Sequence, residues 1–322
     1  MGTTGTTIEK TFAVATSPHI RAREDAAAVM WAVNLALVPA VAASSYLFGL
    51  RGLLVILLSS AVCVASEAAA QLAFGKKVTV ADGSALLTGI LLAFNLPPTV
   101  PWWMTAVGGV VAVVLVKQLF GGLGYNIFNP ALAARAVLLA SWPAAMTSWT
   151  RPVNTFGFAD AVSAASTLGI VKDAAHAGVA PDLPYRLLDL FLGNVPGSLG
   201  ETCKAALLLG AVVLIAVKIV DWRIPIPFVA TVAVLSLVFR RDPLVELLSG
   251  GLVLGAFYMA TDPVTSPTTR TGRVIFGCAC GLLTTLTRDF GGFPEGVCYS
   301  ILFMNMLTPL MERYIQPRRF GT

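Results

Sequence analysis

Hydroxyl groups gather in one short stretch of an otherwise oily chain. Asp160-Ala-Val-Ser-Ala-Ala-Ser-Thr167 places Ser163, Ser166 and Thr167 among alanines. A serine or threonine oxygen is a nucleophile once a base removes its proton, and small neighbours leave room for a large group to approach. Ala/Ser-rich loops are common, so this spacing alone assigns no chemistry. Two carboxylates are the other candidates. Asp262 stands at the end of an apolar run and Glu67 lies within one. At membrane depth an ionisable group marks an ion or proton path; at the interface it is a solvated loop residue, and each of the two has both readings. Five cysteines, Cys63, Cys203, Cys278, Cys280 and Cys298, sit in apolar surroundings with no C-x-x-C pair, which suits small apolar filler. The two histidines, His19 and His176, fall outside the apolar runs, so no metal site is expected.

The stretch Lys117-Gln-Leu-Phe-Gly-Gly-Leu-Gly-Tyr-Asn-Ile-Phe-Asn-Pro130 follows the apolar run from Val110 to Val116. Glycine costs about 1 kcal/mol and proline about 3 kcal/mol in a helix interior relative to alanine. The stretch is therefore either a tight turn between two helices or a broken helix lining a polar cavity, since irregular backbone at membrane depth must be enclosed.

The chain has 322 residues, 56% of them hydrophobic and 12% charged, with a net charge of +5. Its mean hydropathy is +0.79. A soluble protein would carry about a quarter charged residues, and apolar runs near the 20 residues needed to cross a bilayer recur. The composition predicts an all-α polytopic membrane protein, and the positive charge belongs to the ends of spans, with no nucleic-acid partner. Spans are expected at about 26–48, 52–74, 83–100, a fourth ending at Lys117, 130–146, 201–219, 225–239, 243–260, 272–287 and 295–312. Lys10, Arg21 and Arg23 before the first span, and Arg313, Arg318 and Arg319 after the last, put both termini in the cytoplasm. Arg240-Arg241 would then face outside, against the positive-inside tendency. The expected organisation is a cytoplasmic segment 1–25, a first membrane repeat 26–146, an external loop 147–185 that includes the start of a short helix at 184–193, a second repeat 186–314 and a cytoplasmic tail 315–322.

The second half echoes the first. Asn95-Leu-Pro-Pro-Thr-Val-Pro101 resembles Thr261-Asp-Pro-Val-Thr-Ser-Pro267, and Phe120-Gly-Gly122 is answered by Phe290-Gly-Gly292. Five spans separate the copies, so they have opposite orientations. Inverted repeats with broken helices are how transporters build a site near the midplane, and the echo favours the broken-helix reading of the glycine-rich stretch.

These motifs carry a resemblance. Ser17-Pro-His-Ile20, Asn95-Leu-Pro-Pro-Thr-Val-Pro-Trp-Trp103, Lys117 to Pro130, Gly197-Ser-Leu-Gly-Glu-Thr202, Asp221-Trp-Arg-Ile-Pro225, Thr261 to Pro267 and Phe290-Gly-Gly-Phe-Pro-Glu-Gly296 occur in order over nearly the whole chain. The sequence resembles the RnfD family, the D-type membrane subunits of the Rnf ion-translocating ferredoxin:NAD oxidoreductase. Its homologues include the B-type membrane subunits of the sodium-pumping NADH:quinone oxidoreductase. The resemblance implies a urea-channel-like inverted five-plus-five repeat of about ten transmembrane helices. It implies FMN attached through its phosphate to a hydroxyl in the external loop, within a motif like Asp-x-x-Ser-Gly-Ala-Thr. Asp160, Ser163 and Ala165 match it, Ala164 replaces the glycine, and Ser166 stands where threonine is usual. Ser166 is the first choice for attachment and Thr167 the alternative.

The same resemblance implies a separate membrane flavin transferase for maturation, and a second, non-covalent flavin (riboflavin or FMN) among the spans. Asn95, Thr99, Asn126 and Thr265 in the broken stretches offer hydrogen-bonding groups for it. The implied partners are the other Rnf subunits (A, B, C, E and G) and membrane lipid, and the implied location is the bacterial inner membrane. The implied function is electron transfer between ferredoxin and NAD coupled to sodium or proton movement, with Asp262 and Glu67 as ion-path candidates. This chain carries no complete active site, since no G-x-G-x-x-G follows a strand. The competing reading is a channel or transporter subunit without redox chemistry, which the inverted repeat supports equally; the loop hydroxyl separates the two.

Overall fold

The computed structural model describes residues 25–155, 164–177, 184–201, 203–292 and 295–316. Regular structure there is helical, with one isolated bridge between Thr150 and Gly197. The long first helix α1, Ala26–Ala73, is the described helix that is both long and apolar enough to cross a membrane. It is in fact two arms. Gly49 has φ 66° and ψ −160°, a conformation open to glycine and costly for other residues, and it separates the arms where two spans are expected. Asn34 on the first arm donates to the Gly83 carbonyl at 3.0 Å. Glu67 on the second arm joins Ser84 through Lys117. Positions near the outer ends of both arms thus meet one turn, so the arms run antiparallel.

Helix α2, Ser84–Phe94, has 11 residues. At 1.5 Å per residue it spans about 16 Å, half of a hydrocarbon core of about 30 Å. It stops because Pro97, Pro98 and Pro101 cannot continue a helical ladder. The expected span 83–100 is therefore a half-helix followed by irregular, enclosed backbone. Gly89 lets α2 lie against the second arm: a Cβ there would sit 2.5 Å from the Ser60 Cα, the close approach that small residues permit between membrane helices. Helix α3, Trp102–Val110, continues as π-helix through Gln118. Helix α4, Pro130–Ser141, begins where Asn129 accepts from the Ala131 and Leu132 amides with proline at its first position. The span expected at 130–146 ends early, because Trp142 (φ −136°, ψ 63°) breaks it before the short α5, Pro143–Met146. Trp142 stacks edge-on against Trp103, ring centroids 5.1 Å apart.

Between α3 and α4 the glycine-rich stretch is a connection with left-handed φ at Gly121, Gly122 and Gly124. It is a turn between helices, which corrects the broken-helix reading. Among the described residues of 147–185 is the helix α6, Thr167–Ala177, and α7, Leu187–Leu192, falls within the short helix expected at 184–193. Thus the loop expected there is partly folded.

In the second half α8, Lys204–Ala216, packs on α1, and α9, Pro225–Val238, follows it and packs on a later helix. The span expected at 243–260 is broken: α10, Pro243–Leu248, ends at Ser249, Gly250 has φ 63°, and α11, Leu252–Leu254, passes into π-helix at Gly255–Met259. The irregular segment 261–267 follows, then α12, Arg270–Phe290, and α13, Val297–Tyr314. The two halves pack together through α1 on α8 and α4 on α13. Leu37, Leu92, Phe94, Leu132, Leu138, Phe228, Phe276 and Ile301 belong to one continuous buried cluster that joins them.

Candidate functional site

Ser166 caps helix α6. Its Oγ accepts the Gly169 amide at 3.1 Å, the geometry that satisfies a first-turn N–H. Trp149 fixes the approach, its carbonyl accepting from the Ala164 amide at 2.9 Å. Farther along α6, the Lys172 ammonium donates to the Gly291 carbonyl. Leu168 packs over Gly250, where a Cβ would meet Leu168 Cδ1 at 2.6 Å. The loop hydroxyls are therefore docked on the second half of the membrane domain. Ser166 is half-buried and Thr167 is 4% exposed. Both line a small cleft of about 20 Å³ with Gly197, Glu201, Lys204 and Glu295. Asp160 and Ser163 lie outside the described residues.

Behind the cleft is a charged centre. Arg135, on α4, donates through Nη1 to Asn95 Oδ1 at 2.7 Å and to Glu201 Oε1 at 3.3 Å, and through Nη2 to Glu295. Arg135 and Glu201 are buried, as is Lys204, whose ammonium makes no hydrogen bond or ion pair among the described residues. Asn95 donates to the Leu91 carbonyl at 2.6 Å, and Asn129 to the Met259 carbonyl at 3.3 Å. Residues from both halves thus converge between the first broken helix and the starts of α8 and α13. The sequence reading missed Arg135 and Glu295. The signal was present: Arg135 is the one charged residue between Pro130 and Met146, and a charge inside a span is a functional candidate.

A second buried network stands at the opposite end. The Lys117 ammonium donates to Glu67 Oε2 at 2.9 Å and to Ser84 Oγ at 2.6 Å, and Gln118 Nε2 donates to Glu67 Oε1 at 2.8 Å. Glu67 is 1% exposed, so of its two readings the interfacial one fails. A matching network closes the end of α12. Arg288 donates to the Glu246 side chain at 2.8 Å and to the Ser249 carbonyl at 3.1 Å. Arg241 lies 2.7 Å from Asp289 and 3.3 Å from Glu246, so one member of the basic pair that offended the charge rule is paired, while Arg240 is exposed.

The remaining candidates serve their own segments. Asp262 accepts from the Val264 amide at 3.2 Å and from the Thr265 hydroxyl at 3.4 Å, folding the second break. Thr265 accepts through its carbonyl from Thr308. Asn126 donates to the Phe128 carbonyl at 3.0 Å, and Thr99 shares a 3.5 Å hydroxyl contact with Ser148. These contacts do not bring Asn95, Thr99, Asn126 and Thr265 onto one common partner.

Comparison with known proteins places this architecture. The model of the NQR2, RnfD, RnfE family matches residues 13–321. The chain is 47% identical over 315 residues to the D subunit of the Na(+)-translocating ferredoxin:NAD(+) oxidoreductase complex of Acetobacterium woodii, covering 97% of this chain and 96% of that one. It is 43% identical to the proton-translocating counterpart of Clostridium ljungdahlii, with 97% and 96% covered. It is 42% identical to the D subunit of the ion-translocating oxidoreductase complex of Stutzerimonas stutzeri, with 91% of each chain covered. Matched from near its start to its end, the chain belongs to the NQR2, RnfD, RnfE family.

Proposed function

We propose that this chain is the flavin-bearing membrane subunit of an ion-translocating ferredoxin:NAD oxidoreductase complex, with FMN esterified to Ser166. The position of the Ser166 hydroxyl carries the reading: it is half-buried, at the start of α6, on a cleft lined by Lys204. The residues fit the group. A phosphodiester on Oγ brings one negative charge to a helix N-terminus, where backbone N–H groups and the helix dipole favour anions. Lys204 supplies a nearby positive charge. The cleft of about 20 Å³ has room for about one water, so the flavin ring lies outside it, accessible to a neighbouring subunit. FMN supplies one- and two-electron redox chemistry when bound. The chain's own residues hold the phosphate end and exclude water behind it.

In this reading the chain has ten spans in an inverted repeat, Ser166 lies outside the cytoplasmic membrane and both termini lie within the cytoplasm. The other Rnf subunits, A, B, C, E and G, supply the ferredoxin and NAD chemistry, and a membrane flavin transferase attaches the group. A second, non-covalent flavin among the spans and the movement of sodium or protons belong to the same reading, with the buried Glu67 a stronger ion-path candidate than Asp262. Co-expression of the full chain with the transferase, followed by in-gel flavin fluorescence, tests it. A fluorescent wild-type band and a dark Ser166→Ala band are expected. A dark wild-type band favours the channel reading without redox chemistry.

A further inference from the structure

At the end of the molecule away from Ser166, a cavity of about 620 Å³ opens between the α8–α9 turn and the start of α12. Lys204 lines the Ser166 cleft and Lys218 lines this cavity; the α8 helix between them separates the two sites by about 20 Å at 1.5 Å per residue. Four cations face the cavity, Lys218, Arg223, Arg270 and Arg273, against one carboxylate, Asp221. Asp221 is committed: it accepts from Arg273 at 2.6 Å and from Arg223 at 3.0 Å. The side chains of Lys218 and Arg270 make no hydrogen bond or ion pair among the described residues, and both residues are exposed. The cavity therefore carries an excess of about three positive charges, two of them free to bind. Arg223 also stacks on the exposed ring of Trp222, 5.2 Å from its centroid. A tryptophan beside cations belongs at the headgroup level of a bilayer.

We infer that this cavity binds the phosphate of an anionic membrane lipid headgroup, held by Lys218 and Arg270 over the Asp221–Arg223–Arg273 cluster. The concave shape suits a headgroup, and exposed Trp222 with half-buried Ile219 beside it gives the acyl chains an apolar flank. Arginine suits phosphate because its planar fork donates two parallel hydrogen bonds. The inference stands apart from the flavin reading, since no residue is shared with the Ser166 cleft.

The test is native mass spectrometry of the full chain in neutral detergent, titrated separately with phosphatidylglycerol, phosphatidylcholine and inorganic phosphate. Phosphatidylglycerol should bind about tenfold more tightly than phosphatidylcholine, and Lys218→Gln/Arg270→Gln should remove most of that preference, in line with the contribution of each basic residue near an anionic surface. Lys218→Arg/Arg270→Lys should keep it, as should Arg51→Gln, which removes an exposed cation elsewhere. Equal binding of the two lipids overturns the proposal, as does full phosphatidylglycerol preference in the double glutamine variant. Inorganic phosphate displacing the lipid at equal concentration makes the cavity a free-phosphate site and also overturns it. If the double variant keeps lipid but loses other subunits on affinity purification of the complex, the surface is a protein interface and the proposal fails.

Discussion

At the scale of single residues, two hydroxyls one position apart differ in what surrounds them. Ser166 is half-buried at the cleft, whereas Thr167 is 4% exposed. Thr167→Ala is therefore expected to keep the flavin adduct that Ser166→Ala loses, read by fluorescence of the denatured chain. Arg135 presents a different case. It holds two carboxylates, Glu201 and Glu295, where the chain is closely packed. Arg135→Gln leaves them without their cation, and breaking a buried pair on one side costs about 3–5 kcal/mol. Its thermal unfolding in detergent should fall by several degrees, while Arg135→Lys should recover part of the loss. A wild-type midpoint for Arg135→Gln would show that the centre contributes no stability. The candidate hydroxyl rests on a motif resemblance, whereas Arg135 is marked in the sequence only as the one charged residue of its apolar run. Glu67 is legible as a carboxylate within an apolar run but not as a paired one: only the fold shows that Lys117, far along the chain, reaches it.

Elements carry the next set of consequences. Apolar run length and proline made the two arms of α1, the long α12 and both proline breaks legible. Half-helices were less so, because an apolar run such as 83–100 reads the same whether its last third is helical or irregular. Likewise the break at Ser249–Gly251 divides a run that hydropathy makes continuous. The glycine-rich stretch at 117–130 looked like the broken element, yet the enclosed breaks are at 95–101 and 261–267. In the 117–130 stretch glycine serves turns with left-handed φ at Gly121, Gly122 and Gly124. Where glycine instead permits close packing, substitution should be costly. Gly89→Ala puts a Cβ 2.5 Å from the Ser60 Cα and should lower the unfolding midpoint sharply. Gly292→Ala meets nothing within 4 Å and should leave it unchanged. The α8–α9 turn adds a pH dependence. Burial alone would raise the Asp221 carboxyl, but the Arg223 amide and the Arg273 and Arg223 guanidiniums outweigh it and hold its pKa below the ordinary value. A depressed carboxylate stabilises the fold above its unfolded value of about 3.9, and that stability is lost as pH falls through the lower folded value. The unfolding midpoint of the wild type should therefore drop below about pH 4 by more than that of Asp221→Asn, whose midpoint is lower already at pH 7. Equal acid sensitivity would remove Asp221 from this role.

The whole molecule has two chemically different ends. Helix α12, with 21 residues, covers about 31 Å, the thickness of a bilayer core. Arg273 near its start joins the cationic cavity and Arg288 near its end joins the neutralised Glu246 network. Unbalanced positive charge gathers at one end and the Ser166 cleft at the other, the asymmetry that orients membrane proteins. With the five native cysteines replaced by alanine, a membrane-impermeant maleimide on intact cells should label Arg51→Cys, near the Gly49 turn. It should label Lys76→Cys, at the Lys117 end, only after permeabilisation. The reverse pattern would invert the proposed orientation. The basic flanks in the sequence lead to the same proposed orientation. Which buried charges pair across the halves became visible only when Arg135, Glu201 and Glu295 were placed together.

The central claim is that Ser166 bears the flavin. Intact-mass spectrometry of the full chain, purified from membranes with the transferase co-expressed, tests it most directly. The wild-type mass should be raised by one FMN less one water, with fragmentation placing the addition on Ser166, and Ser166→Ala should keep its unmodified mass. A wild-type chain at its unmodified mass, or an addition that survives Ser166→Ala and vanishes in Thr167→Ala, would contradict it.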